Sequence, residues 1–220
     1  RYLKPATSFR DRYAYDNILY MAAGQLIEEV SGTTWEQYIR DHVFGPLGMK
    51  NSTDTDAEFK ANPNHARPHS RSDGPIHGLG TQAPLDEHAT ISQNAAPAGG
   101  LAISANDMSR WLLTQLGRGK IPGSDKRLFT EEQSKQMWTP AVLTPTAKYP
   151  GKIADYSPQF SSYALGWSVR DYRGVKTIEH GGAVFGVQAY VAMIPEKNIG
   201  IAVLMNAEDF QVMRGIAVEL

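Results

Sequence analysis

The chain has 220 residues, with 22 Lys and Arg against 23 Asp and Glu and a formal charge of −1, which argues against a nucleic-acid or anionic-membrane surface because both need a basic excess. Hydrophobic residues make up 41% and charged residues 20%, ordinary globular usage that speaks against a disordered or fibrous chain, and a compact chain of this length buries about 70% of the surface it would expose unfolded. Cys is absent, so disulfides, thiolate metal sites and a cysteine nucleophile are excluded while the compartment stays open. The longest apolar stretches, Val184 to Ile194 and Ile199 to Met205, are strand-length and fall short of the roughly 18 residues of a membrane span. The first residues, Arg1-Tyr-Leu-Lys-Pro5, have no apolar run or start Met, so they read as neither a signal peptide nor a natural beginning.

In chain order, Ile18 to Val30 carries a helical apolar stripe that ends at Ser31-Gly32. Thr33-Thr34-Trp35-Glu36 reads as a capping box for a second helix with Trp35, Tyr38, Ile39 and Val43 on one face, stopped by Gly45-Pro46. From Ala57 to about Pro97 the periodicity disappears, which predicts one long ordered loop or several short turns. Ser104 caps a third helix with Asp107 in its first turn and Met108, Trp111, Leu112 and Leu116 along it; Thr130-Glu-Glu-Gln133 opens a short one, and Pro140 to Pro158 is loop-like. Strand-like runs then cover Tyr163 to Tyr172, Lys176 to Glu179, Gly186 to Ile194 and Ile199 to Met205. They are separated by Arg173-Gly174, Gly181-Gly182 and Glu196-Lys197-Asn198, and such short links favour antiparallel neighbours. Asp209 to Leu220 reads as a final helix. Helices followed by a meander predict an α+β fold with helices packed on an antiparallel sheet.

Most candidate motifs dissolve on inspection. His65 and His69, with His77 and His88 nearby, suggest metal ligation, but Pro68 keeps the first pair off a regular helix and no HExxH or acidic cluster accompanies them. Gly78-Leu-Gly80 mimics a dinucleotide loop yet follows no strand and runs into Pro84. No Gly-x-Ser-x-Gly elbow occurs, which removes an α/β-hydrolase reading. Two segments keep two readings each. Tyr15-Asp-Asn17 precedes the first helix: it is either a buried tyrosine with Asn17 as N-cap, or a phenol and a carboxamide on one face of an extended approach. His180-Gly181-Gly182-Ala183 is either a plain turn or a histidine at a strand end beside two residues that leave peptide N–H groups accessible.

Together these segments resemble the serine β-lactamase-like superfamily of class C β-lactamases, DD-peptidases, D-aminopeptidases and related esterases. Tyr15-Asp-Asn17 is similar to its Tyr-x-Asn motif, and Gly32 through Phe44-Gly-Pro-Leu-Gly-Met49 to the helical hairpin after it. Pro97-Ala-Gly-Gly100 through Met108 resembles its Gly-Gly turn into a capped helix; Tyr163-Ala-Leu-Gly166-Trp167 and His180-Gly-Gly182 through Asn206 resemble its C-terminal strands. The resemblance implies a β-lactamase/transpeptidase-like α+β fold, an antiparallel sheet flanked by helices plus a mostly helical region. Residues 1–160 would form the helical and loop region with Tyr-x-Asn, and 161–220 the strands and C-terminal helix with His-Gly-Gly, both parts of one catalytic domain.

One departure is large. The family's nucleophile is the serine of Ser-x-x-Lys, and none of the ten lysines here has Ser or Thr three residues before it. The expectation is that the nucleophile helix and first strands lie upstream of Arg1, and that this missing segment is a partner of the chain. The resemblance implies Tyr15 as general base, helped by positive charge from the absent lysine and from His180, since an isolated phenol has a pKa near 10. It implies Asn17 on the substrate amide and the lysine, Gly181 and Gly182 beside the substrate, and the Ala183 N–H in the oxyanion hole. No metal or cofactor is implied. Histidine where many relatives carry Lys-Thr-Gly suits a substrate carboxylate poorly, which favours an ester or D-amino-acid peptide over a β-lactam. The competing expectation is a non-catalytic homologue that binds peptidoglycan or peptide.

Overall fold

A computed structural model describes residues 4–71, 79–85, 91–184 and 186–220; His77, Gly78 and His88 lie outside them. Helix α1, Asn17–Ser31, ends as the pattern predicts in left-handed Gly32, whose N–H bonds the Glu28 carbonyl. Its cap is Asp16 and not Asn17. Asp16 is extended (φ −148, ψ 116) and its Oδ1 accepts the Ile18 N–H at 2.7 Å, so Asn17 becomes the first helical residue with its carboxamide uncommitted to the helix end. Helix α2, Trp35–Ile39, is capped by Thr34, which accepts the Gln37 N–H; the cap falls one residue beyond the predicted Thr33, and the Gln37 side chain bonds Asp41 and does not complete a box. Gly45-Pro46 does not stop the winding either. The chain passes through a π-helical turn, Arg40–Phe44, into α3, Gly45–Leu47, and stops at left-handed Gly48. Proline stands at the start of the short α3 segment, directly after the π-helical turn, where the hydrogen-bond register changes.

The aperiodic stretch resolves into short pieces. Strand β1, Ser52–Thr53, precedes α4, Asp56–Ala61; β2, His69–Ser70, pairs with β3, Ala83–Pro84; and a 3-10 turn covers Gln93–Ala98. Strand β4, Ala102–Ile103, returns to β1. Helix α5, Ala105–Leu116, starts at Ser104 as predicted, and its buried Asp107 accepts the Asn51 N–H at 2.7 Å and the Ser52 hydroxyl at 2.8 Å. Helix α6, Glu131–Met137, carries both halves of the Thr130/Gln133 capping box.

A six-stranded antiparallel sheet follows in the order β10-β9-β8-β7-β6-β5, built from β5 Val142–Leu143, β6 Ser161–Tyr163, β7 Ser168–Tyr172, β8 Val175–Val184, β9 Val187–Ile194 and β10 Ile199–Met205. The run predicted from Tyr163 to Tyr172 is therefore two strands, paired through Tyr163↔Ser168. The glycine pair 181–182 does not separate strands: β8 runs through it to Val184, and Gly186, at φ 81, sits in the turn instead. Helix α7, Phe210–Glu219, is capped by Asp209.

Helix α5 lies between two apolar clusters. Leu112 faces the sheet with Trp138, Trp167, Val169, Ile178 and Met193, while Trp111 packs with Phe44, Leu47 and Met49. The sheet's other face carries a buried polar layer under α7. Glu179 accepts from Arg170 Nε at 2.7 Å and from the Tyr190 hydroxyl at 2.7 Å; Arg170 and Arg214 both bond the Tyr149 hydroxyl. Since successive strand residues point to opposite faces, Glu179 on this side fixes His180 on the other.

Candidate active site

His180 on β8 reaches a cleft between the sheet and the start of α1. Tyr15, Asn17, Tyr20, Trp35, Pro97, Tyr163 and Gly166 share it, around a cavity of about 290 Å³. The Tyr15 and His180 ring centroids are 6.2 Å apart, so the two motifs that sequence reasoning singled out converge. Tyr15 and Asn17 line the same cleft because extended Asp16 stands between them. Two glycines let its walls close. At Gly24 on α1 an added Cβ would lie 2.4 Å from Pro97 Cγ, and at Gly166 it would lie 2.9 Å from the Tyr20 hydroxyl.

The cleft has an aromatic wall that sequence reasoning did not single out as site. Tyr163 Oη is 2.9 Å from His180 Nε2, and its ring lies 5.3 Å from Tyr13 and 6.2 Å edge-on from Tyr15. The pairings Tyr163↔Ser168 and Ser168↔Glu179 bring the end of its strand level with the residue before His180, and the side chain reaches the ring from the strand end. The second is legible from the two-residue Arg173-Gly174 turn; the first needs the intervening loop to be known.

Backbone direction on β8 follows from the same turn. Arg173 and Gly174 have φ of 51 and 82, the type I′ pattern that closes on a hydrogen-bonded pair, here Tyr172↔Val175. Hydrogen-bonded and non-hydrogen-bonded pairs alternate along an antiparallel ladder, so Val175, Thr177 and Glu179 direct their peptide groups toward β7 and His180 and Gly182 toward β9. Gly181 and Ala183 fall in the series that faces β7, whose pairing ends at Ser168↔Glu179. Their N–H and C=O groups therefore face an open edge, and Gly181, Gly182 and Ala183 are all exposed. An added Cβ at Gly182 would meet nothing within 4 Å.

Burial pushes the His180 imidazole below its usual value, opposed by a backbone hydrogen bond with Gly181 and by the Glu179 charge. The ring is thus mainly neutral near pH 7, against the expectation that it supplies positive charge to Tyr15. Burial and the neighbouring phenols of Tyr20, Tyr15 and Tyr13 hold the Tyr163 phenol above its usual value. Among the described residues lining the cleft there is no Asp, Glu, Lys or Arg.

Of the histidines considered for a metal, His65 Nδ1 bonds the Asn62 carbonyl and His69 Nδ1 the Arg67 carbonyl. Among the described residues no three His, Cys, Asp or Glu gather into a metal-binding group, and no helix is long and apolar enough to cross a membrane.

Comparison with known proteins matches residues 1–217 to the Beta-lactamase family. An unguisins hydrolase of Aspergillus campestris is 24% identical over 209 residues, covering 94% of this chain and 35% of its own. Penicillin-binding protein 4 of Amycolatopsis lactamdurans is 24% identical over 197 residues, 88% of this chain and 47% of its own. The octameric penicillin-binding protein homologue from Pyrococcus abyssi superposes with a TM-score of 0.76 at 26% identity over 97% of this chain and 44% of that one. A class C β-lactamase gives 0.64 at 17% over 98% and 58%, a likeness of fold. The chain spans between about a third and a half of these curated relatives, at 35% and 47%. With its α+β architecture and the match along nearly its whole length, the chain belongs to the Beta-lactamase family, within the serine β-lactamase-like superfamily of serine hydrolases.

Proposed function

We propose that this chain supplies the general base, the substrate cleft and half of the oxyanion hole of a serine hydrolase that works through an acyl-enzyme on an ester or a D-amino-acid peptide. The observation that carries it is the convergence of Tyr15, Asn17 and His180 on one cleft beside the open β8 edge. Tyr15 takes the proton of the attacking serine and returns it to the leaving group. Asn17 holds the substrate amide. The Ala183 N–H, which faces the open edge, stabilises the oxyanion in concert with the N–H of the nucleophile itself. The serine and lysine of Ser-x-x-Lys come from outside these 220 residues, since none of the ten lysines has a serine three residues before it.

On β8 itself, a histidine held mainly neutral stands where many relatives carry Lys-Thr-Gly, so the strand offers a β-lactam carboxylate no permanent cation, which favours an ester or a D-amino-acid peptide. The unguisins hydrolases among the relatives support hydrolysis in preference to a module that only binds. The coding sequence that precedes Arg1 tests the proposal first, for a Ser-x-x-Lys. In a protein that contains it, Tyr15→Phe should lower turnover of an activated ester by roughly 10²-fold or more, the usual worth of general-base help. Unchanged turnover by a folded variant removes Tyr15 from the mechanism.

A further inference from the structure

We propose that Tyr163 is a positioning and specificity-determining residue: its hydroxyl donates to Nε2 of His180, so that the phenol oxygen facing the cleft can only accept a hydrogen bond, and the substrate group lying there is a donor, an amine or amide N–H. The choice of substrate group rests on the acyl-transfer role proposed above; the hydrogen-bond direction does not.

The 2.9 Å contact between Tyr163 Oη and His180 Nε2 leaves two arrangements of one proton. Either the phenol donates and the ring accepts, or the reverse. Three observations select the first. Burial and three neighbouring phenols keep Tyr163 protonated, so it has a hydrogen to give, and a buried tyrosine hydroxyl seeks an acceptor. Burial also favours the neutral imidazole, which has one ring nitrogen free to accept. Finally, the backbone hydrogen bond with Gly181 raises the His180 pKa, the sign expected when a ring N–H gives to a carbonyl. With Nε2 engaged by Tyr163, that proton belongs on Nδ1.

The groups facing the pair are few. Tyr15 stands 6.2 Å from both rings, Tyr13 and Tyr20 act on Tyr163, and Glu179, on the other sheet face, is held by Arg170 and Tyr190. Among the described residues lining the cleft no fixed charge competes with the orientation they impose. As pH falls and His180 gains its second proton, both ring nitrogens donate. The phenol then accepts from Nε2–H and its own hydrogen turns to the cleft, so its preference moves from donors toward acceptors such as carboxylate.

The decisive experiment is long-range proton–nitrogen correlation NMR of the nitrogen-15-labelled chain across the His180 titration. The expected wild-type spectrum above that titration shows a protonated Nδ1 and a bare Nε2; a protonated Nε2 overturns the proposal. In Tyr163→Phe the proton should stay on Nδ1, held by Gly181, while the bare Nε2 resonance moves further from the protonated position as it loses its donor, and an unchanged Nε2 overturns the proposal equally. Should Tyr163→Phe fail to fold, the wild-type tautomer still decides. Tyr15→Phe should leave the His180 tautomer as it is, so loss of the catalytic role of Tyr15 and loss of the hydrogen-bond direction are read separately. In the complete enzyme, Tyr163→Phe should reduce the preference for amine-bearing over carboxylate-bearing esters of one leaving group by about tenfold, the worth of one hydrogen bond to a charged group; an unaltered ratio overturns the specificity half.

Discussion

Gly24 offers a perturbation whose sign separates two effects. In the middle of a helix, Gly→Ala ordinarily stabilises by up to about 1 kcal/mol, because alanine loses less conformational freedom on folding. At Gly24 the new methyl would sit 2.4 Å from Pro97 Cγ and 2.8 Å from Pro97 Cβ. Proline has no rotamer with which to yield, so the Gln93–Ala98 turn must shift, and overpacking of this kind costs about 1–3 kcal/mol. The cost outweighs the gain, and Gly24→Ala should lose up to about 2 kcal/mol. Gly215 on α7 is the control, since an added Cβ there meets nothing within 4 Å, and Gly215→Ala should gain about 0.5–1 kcal/mol. Urea denaturation of both variants beside the wild type, followed by circular dichroism, measures the difference. Equal stabilisation by the two would show that Pro97 does not pack on α1, and with it would go the account of how that wall of the cleft is held.

Removing the cap with Asp16→Ala should cost about 1 kcal/mol, whereas Asn17→Ala should change helix stability little; equal losses in denaturation would return the cap to Asn17. His180 adds a pH dependence of known sign. Its folded pKa lies below the unfolded value near 6.5, so the unfolded chain binds more protons in that region, and the stability associated with the neutral ring is complete above about pH 6.5 and lost as pH falls through the folded pKa. The slope of stability against pH below 6.5 should be shallower in folded His180→Gln, and an unchanged slope would contradict the burial of the ring. Replacing Arg40 by Met strands the carboxylate of Asp54, which is 1% exposed and held by the guanidinium fork, so stability should fall by about 1–3 kcal/mol; a neutral outcome in denaturation would mean that Asp54 is satisfied elsewhere.

Helix positions and caps at Gly32, Ser104 and Thr130 are legible in the sequence because each is decided within four residues. Asp16 is harder to see: it and Asn17 are equally good caps, and only the backbone direction chooses. The Gly181-Gly182 pair misleads for a related reason. Glycine permits a turn without requiring one, and the flanking hairpin closes at Gly186. Tyr15 and His180 are recognised through motif resemblance, while their meeting at 6.2 Å depends on contacts far apart in the chain. Tyr163 escapes as a site residue because the Tyr163-Ala-Leu-Gly166-Trp167 resemblance marks a strand only, while its meeting with His180 depends on how distant segments pack.

Acyl-enzyme formation tests the central claim most directly. Intact mass spectrometry after incubation with a fluorophosphonate should find the 220-residue chain unlabelled, and the same chain extended to include a Ser-x-x-Lys segment labelled once, on that serine, with the rate lowered roughly 10²-fold by Tyr15→Phe. Stoichiometric labelling of a serine in the 220-residue chain alone, or labelling of the extended chain at a rate indifferent to Tyr15, would contradict it.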